Sequence, residues 1–116
     1  MIKKQVIVGG TFDDAAKRFV ETFDRAARGE AVEAQDNVTF VSWTALSAVM
    51  TDKRHELLRH LHARPAHSIR ALARDLGRDY KRVHDDVAAL VSVGLVEKDG
   101  RTLRVDYAEI RSVIAV

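Results

Sequence analysis

The sequence predicts an α+β fold in which a strand–helix–strand segment precedes a series of short helices and a β-hairpin. Residues 3–8 and 38–43 are short runs rich in β-branched residues, and the segment between them has apolar residues at helical spacing. From Thr51 onward, three short segments repeat the helical spacing between turn-forming residues. Asp99-Gly100 then separates two β-prone runs, which is a typical hairpin sequence.

Size and composition restrict the class of protein. A chain of 116 residues can form one core, or one small domain with an appended element. The chain has 47% hydrophobic and 31% charged residues, as an ordinary folded protein does. No apolar run reaches the ~20 residues of a membrane helix, and the N-terminal apolar run is too short for a signal peptide. We therefore expect a cytoplasmic protein without a membrane partner, and the absence of cysteine excludes disulfides and thiolate metal sites.

Charge is distributed unevenly along the chain. Residues 1–50 contain 6 Lys and Arg against 7 Asp and Glu, whereas residues 51–116 contain 13 against 10 and all five histidines. The small excess of basic residues in the second half permits a nucleic-acid partner but does not require one. The functional prediction therefore depends on where the basic side chains lie.

The segment 1–50 is predicted to be a dimerisation or partner element. Thr11 and Asp14 have the T-x-x-D spacing of a capping box at the start of a helix. In that helix Phe19 and Phe23 lie on an apolar stripe with several alanines and a valine. Such a stripe must be buried against another surface.

Residues 51–107 predict a helix, a second helix, a glycine-containing turn, a third helix and a two-stranded hairpin, which is the order of a winged helix-turn-helix. A short helix at 43–50 precedes this unit, and a C-terminal strand at 108–116 follows it. The three main helices are predicted to run from the cap Thr51 to about Ala63, from the cap Ser68 to Gly77, and from the cap Asp79 to about Val93.

The third of these helices is predicted to enter the DNA major groove. If Val83 points inward, Val87, Leu90 and Val91 lie on the same side within about 80°. The exposed face then carries basic residues near the start of the helix, where recognition helices meet base edges.

The predicted DNA contacts are groove-facing residues of this helix, phosphate-binding residues at helix starts, and residues of the hairpin. Arg and Lys can donate to guanine or to phosphate, His can donate or accept, and Asp can accept from cytosine N4. The set comprises Ser68, Arg70, Arg78, Tyr80, Lys81, Arg82, His84, Asp85, Lys98, Arg101, Thr102 and Arg104. Asp85 and Asp86 would repel phosphate unless they pair with Arg82 or a neighbouring lysine.

Residues 51–107 resemble the winged helix-turn-helix transcription regulators of the MarR/ArsR kind, in the pieces "SIRALARDLG", "RDYKRVHDDVAALVSVGLV" and "EKDGRTLRV". The wider chain, from "GGTFDDAAKRF" through "FVSWTALSAVMTDKRHELLRHL", is similar to small prokaryotic DNA-binding proteins that act as antitoxins of toxin–antitoxin pairs. The resemblance implies an autoregulating repressor whose other surface binds a cognate toxin. Because one small winged helix makes few contacts, we expect a homodimer on double-stranded DNA.

Two other functions remain open at this point. The chain could be a winged-helix protein-interaction module that neutralises a toxin without binding DNA. It could also be a repressor that responds to a metal or small molecule through its histidines, although His60 and His62 point about 200° apart on one helix and cannot share an ion within it. The "HDD" run has no ligands at suitable spacing, and no arrangement of catalytic residues stands out, so we expect neither an enzyme nor a cofactor.

Overall fold

The computed structural model describes residues 2–9, 12–30 and 35–114, which form an α+β fold with five helices and two sheets. The strands are β1 (Ile2–Val8), β2 (Gln35–Phe40), β3 (Glu97–Asp99), β4 (Thr102–Arg104) and β5 (Tyr107–Ile114). The helices are α1 (Phe12–Ala27), α2 (Trp43–Val49), α3 (Asp52–Ala63), α4 (Ile69–Leu76) and α5 (Tyr80–Ser92). The predicted cap Thr11 and the last two residues of the predicted C-terminal strand lie outside the described residues. Within the described ranges, no helix has the length and apolar character needed to cross a bilayer.

The two ends of the chain meet in one parallel sheet. Its strand order is β2-β1-β5, and β1 pairs in parallel with both neighbours, so that Val6 lies between Val38 and Ser112. The N-terminal strand–helix–strand is therefore completed by the C-terminal strand, a pairing that the sequence did not predict.

The predicted second strand, 38–43, was placed too far along the chain. The strand runs from Gln35 to Phe40, and α2 begins at Trp43. The physical reason is a cap: the Ser42 hydroxyl accepts a hydrogen bond from the backbone N–H of Ala45 at 3.2 Å, which starts a helix where the prediction continued the strand.

One hydrophobic core joins the sheet to the helices. Apolar residues on the inner face of the sheet belong to the same buried cluster as residues of α3, α4 and α5. The cluster includes Val6, Val8, Val38, Phe40, Leu57, Leu61, Leu72, Val83, Val87 and Leu90. The helices are thus held in a fixed position relative to the N-terminal sheet.

The predicted caps of the three main helices are confirmed. The side chains of Thr51, Ser68 and Asp79 each accept a hydrogen bond from the backbone N–H three residues later. Gly77 ends α4 with φ of +64°, a left-handed conformation that glycine adopts without a steric penalty.

An ion triad centred on Asp86 connects α3, the α4–α5 turn and α5, and we call it the Asp86 triad. Arg54 Nε of α3 lies 2.9 Å from Asp86 Oδ1, and Arg78 Nη2 of the α4–α5 turn lies 2.7 Å from Oδ2. Arg54 Nη1 also donates to the carbonyl of Val49 at the end of α2, at 2.9 Å. The three charged side chains are only 14–19% exposed, so these bonds are only weakly screened by solvent.

Tyr107 connects the sheet to the turn that follows α5. Its buried hydroxyl donates to the carbonyl of Leu95 at 2.7 Å, and the Lys4 ammonium lies 5.4 Å from the centre of its ring. Burial raises the pKa of the Tyr107 phenol well above its ordinary value, because the phenolate would lose its hydration.

We predict that Asp86→Ala lowers the free energy of unfolding by about 2–3 kcal/mol. Removing the shared carboxylate leaves two poorly hydrated guanidinium groups without their partner, and partial exposure keeps the loss below the ~3–5 kcal/mol of a fully buried pair. Urea unfolding measures the difference. Asp85→Ala is the matched control, since Asp85 is exposed and should change stability by less than about 0.5 kcal/mol. Equal effects of the two variants would contradict a structural role for the triad.

We predict that Tyr107→Phe lowers the free energy of unfolding by about 1 kcal/mol at neutral pH through loss of one buried hydrogen bond. An unfolded tyrosine ionises near its ordinary pKa of 10.0, whereas the folded pKa is higher. The contribution of Tyr107 is therefore complete below pH 10 and declines as the pH rises above it. Urea unfolding should show that the difference in the free energy of unfolding between wild type and variant is smaller above pH 10 than at pH 7. The same difference at both pH values would show that the phenol is not protected by burial.

Candidate nucleic-acid interface

Helix α5 presents one apolar face to the core and one charged face to solvent. Val83, Val87 and Leu90 are at most 1% exposed, which confirms the predicted inward phase of the helix, while Val91 is only partly buried. Lys81, Arg82, His84 and Asp85 are exposed on the other side. The helix is therefore fixed by its buried valines and leucine, and its first two turns offer polar side chains outward.

Tyr80, Arg70 and His84 form a group at the start of α5, which we call the Tyr80 cluster. The Arg70 guanidinium carbon of α4 lies 5.7 Å from the centre of the Tyr80 ring, within the range of a cation–π contact. The His84 ring lies 6.1 Å from the Tyr80 ring at an angle of 41°. Tyr80 is 47% exposed. Two helices thus contribute to one exposed surface of cationic and aromatic groups.

The two aspartates that follow His84 lie in different environments. Asp85 is exposed, and its Oδ1 lies 3.6 Å from His84 Nδ1, so it reduces the positive charge of the outward face. Asp86 lies about 60° from Val83 around the helix and faces Arg54 of α3. Asp86 therefore pairs with Arg54 and Arg78 rather than with Arg82 or a lysine, because the phase of the helix turns this carboxylate towards α3.

Arg78 does not lie on the outward face of α5. The sequence suggested that it contacts the DNA backbone, but its guanidinium is held by Asp86 and its side chain is 17% exposed. Ser68, another predicted phosphate contact, is half-buried at the start of α4, where its hydroxyl accepts from the N–H of Ala71 at 3.1 Å.

The hairpin turns one residue later than predicted. Asp99 pairs with Thr102, so the two loop residues are Gly100 and Arg101 rather than Asp99 and Gly100. Gly100 has φ of +61° and Arg101 does not have a positive φ. Glycine at the first of two loop positions is the pattern of a type II′ turn. Arg101 consequently lies at the tip, with Lys98 exposed on β3 and Thr102 half-buried beside the loop.

Arg104 lies at the base of the hairpin rather than at its tip. It is the cross-strand partner of Glu97, and its Nη2 lies 3.5 Å from the Glu97 carboxylate. This exposed pair links the two strands at the end of the hairpin away from the loop.

A short β-bridge that the sequence did not predict fixes the position of the hairpin. The N–H of Ala66, in the α3–α4 connection, donates to the carbonyl of Leu103 at 3.1 Å, and the N–H of Leu103 donates back at 2.8 Å. Leu103 is fully buried. The hairpin is therefore attached to the segment that connects α3 to α4, and β4 also packs against α3. A single alanine has no strand periodicity, so sequence patterns could not have found this contact.

The histidines of α3 face different neighbours. His60 Nε2 lies 3.7 Å from a carboxylate oxygen of Asp75 in α4, whereas His62 lines an open groove with His55 and Tyr107. Among the residues that the structure describes, no three His, Asp or Glu side chains are placed to hold a metal ion together.

The comparisons with known proteins gave one finding. A protein-family model described as HVO_A0114 matches residues 49–112, which is more than half of the chain. The match begins at the end of α2 and includes α3, α4, α5, the hairpin and most of β5. Searches of curated proteins and of solved structures found no match.

Proposed function

The chain belongs to the HVO_A0114 family, and we propose that it is a sequence-specific DNA-binding transcriptional regulator with a winged helix-turn-helix fold. The observation that carries this proposal is the outward face of α5. Its first two turns present Lys81, Arg82 and His84 to solvent while the opposite side is locked in the core. A rigid helix with basic side chains near its start is suited to the DNA major groove.

The Tyr80 cluster adds a second set of contacts beside the helix start. Arg70 projects from α4 over the Tyr80 ring, so its guanidinium is partly ordered before DNA arrives. In the proposed complex Lys81, Arg82 and His84 meet base edges, and Arg70 meets the phosphate backbone. Asp85 lies on the same face and favours sites with a cytosine amino group within its reach.

The hairpin acts as the wing. Arg101 at its tip and the exposed Lys98 reach the backbone or the minor groove beside the site of α5. The bridge between Ala66 and Leu103 supports this role, because it keeps the hairpin from moving independently of α4 and α5. In the proposed complex Arg78 has a structural role, because its guanidinium is bound to Asp86.

The regulatory role follows from the resemblance to antitoxin-type repressors. In that role the protein is a cytoplasmic homodimer that represses its own promoter and binds a cognate toxin through another surface. The alternative is a toxin-neutralising module without DNA binding, and the exposed apolar side chains of α1 favour a protein partner of some kind. Co-expression with the product of the neighbouring gene tests toxin binding, and repeated failure to co-purify would count against it.

We predict that Lys81→Ala/Arg82→Ala weakens binding to the protein's own promoter by roughly 30-fold or more. Each lost base contact costs ~1–3 kcal/mol, and two such contacts give at least this factor. Gel shift and footprinting at several salt concentrations measure the loss, and the salt dependence should also decrease.

The matched control removes two positive charges from another helix. Lys53 and Arg59 are exposed on α3, so Lys53→Ala/Arg59→Ala should bind the promoter nearly as tightly as wild type. Tight, footprinted binding that survives the change in α5, or an equal loss in both double variants, would show that α5 does not read the site.

A further inference from the structure

Helix α1 exposes a large apolar face. Phe19, Val20 and Phe23 are 72%, 53% and 65% exposed, although they lie on one side of a regular helix of 16 residues. With about 100° between successive residues, Phe23 lies about 40° and Val20 about 100° from Phe19. A contiguous exposed patch of this kind, unlike isolated apolar residues, is typical of an interaction surface.

We propose that this face binds the same face of a second copy of the chain, with the two α1 helices antiparallel. The proposal rests on the proposed function to the extent that a two-fold DNA site requires a dimer, and it identifies the surface that forms it. In a two-fold pair each helix presents the same residues, so an antiparallel arrangement brings equivalent flanks together.

Charge complementarity identifies a second copy as the partner. Lys17 and Asp24 both flank the Val20 edge of the apolar face, about 60° and 40° from Val20 around the helix, and both are exposed. They are separated by about two turns of helix. In an antiparallel pair centred between residues 20 and 21, Lys17 lies opposite Asp24 of the second copy, and Asp24 lies opposite its Lys17. Both pairs join opposite charges.

The apolar side chains and the charged side chains of α1 are centred on nearly the same position along the helix. The midpoint of Phe19 and Phe23 is residue 21, within about one residue of the midpoint of Lys17 and Asp24. When the charges align, Phe19 therefore packs beside Phe23 of the second copy, and the two Val20 side chains lie near the two-fold axis. Paired aromatic rings bury much surface and add a specific contact. One register satisfies both the apolar contacts and the ion pairs.

Substitutions in the apolar face test the surface itself. By light scattering after size exclusion, the wild type should have twice the chain mass of 13.0 kDa. Phe19→Asp/Phe23→Asp should raise the dimer dissociation constant by at least about 100-fold while helical circular dichroism is retained, because both side chains are already exposed in one chain. A monomeric wild type, or a double variant that stays dimeric, overturns the proposal.

Charge exchange tests the orientation. Lys17→Glu and Asp24→Lys each place like charges opposite one another at two symmetric positions, and each should weaken the dimer by roughly tenfold. Lys17→Glu/Asp24→Lys restores both pairs and should dimerise as wild type. Mixing the two single variants should give heterodimers preferentially, because each mixed pair joins opposite charges. Lys53→Glu, on the exposed surface of α3, is the control and should have no effect.

These measurements separate this interface from the proposed DNA function. Lys81→Ala/Arg82→Ala should remain dimeric while it loses promoter binding. Phe19→Asp/Phe23→Asp should instead become monomeric. A dimer that is insensitive to the charge exchange overturns the antiparallel arrangement. A chain that is monomeric alone and binds only the product of the neighbouring gene through Phe19 and Phe23 overturns the choice of a second copy.

Discussion

The position of the candidate DNA-reading helix depends on a carboxylate shared by two arginines. Asp86 accepts hydrogen bonds from Arg54 of α3 and from Arg78 of the α4–α5 turn. Arg54 also donates a hydrogen bond to a carbonyl at the end of α2. Apolar packing of Val83 and Val87 sets the depth of α5 in the core, but it tolerates small rotations of the helix. Directional bonds to charged groups restrict that rotation. The outward direction of Lys81 and Arg82 follows from both constraints.

The same triad separates structural charges from surface charges in one short stretch of sequence. "LGRDYKRVHDDV" contains three basic residues and three aspartates, and the three aspartates have different roles. Asp79 caps α5, Asp86 binds two arginines inside the fold, and Asp85 stays on the surface beside His84. Arg78 and Asp86 neutralise each other inside the fold, and on the outward face the two basic side chains Lys81 and Arg82 outnumber Asp85, a balance that favours contact with phosphate.

Local sequence patterns predicted the helices well and the long-range contacts poorly. The caps Thr51, Ser68 and Asp79 and the phase of Val83 follow from spacing within a few residues, and the structure confirms them. The pairing of β5 with β1, the Ala66 bridge and the Arg54–Asp86 bond join residues far apart in the chain, and no local pattern encodes them. The bond between Arg78 and Asp86 was not predicted either, because it depends on how the α4–α5 turn packs beside α5.

In the complex that we propose, the start of α5 and the tip of the hairpin bind DNA together. The most direct measurement is a titration of isotope-labelled protein with a duplex of its own promoter, followed by backbone amide chemical shifts. We expect the largest changes in chemical shift at Lys81, Arg82 and His84 and at Arg101, with little change at α1. Changes confined to α1, or to the groove beside His55 and Tyr107, would contradict it.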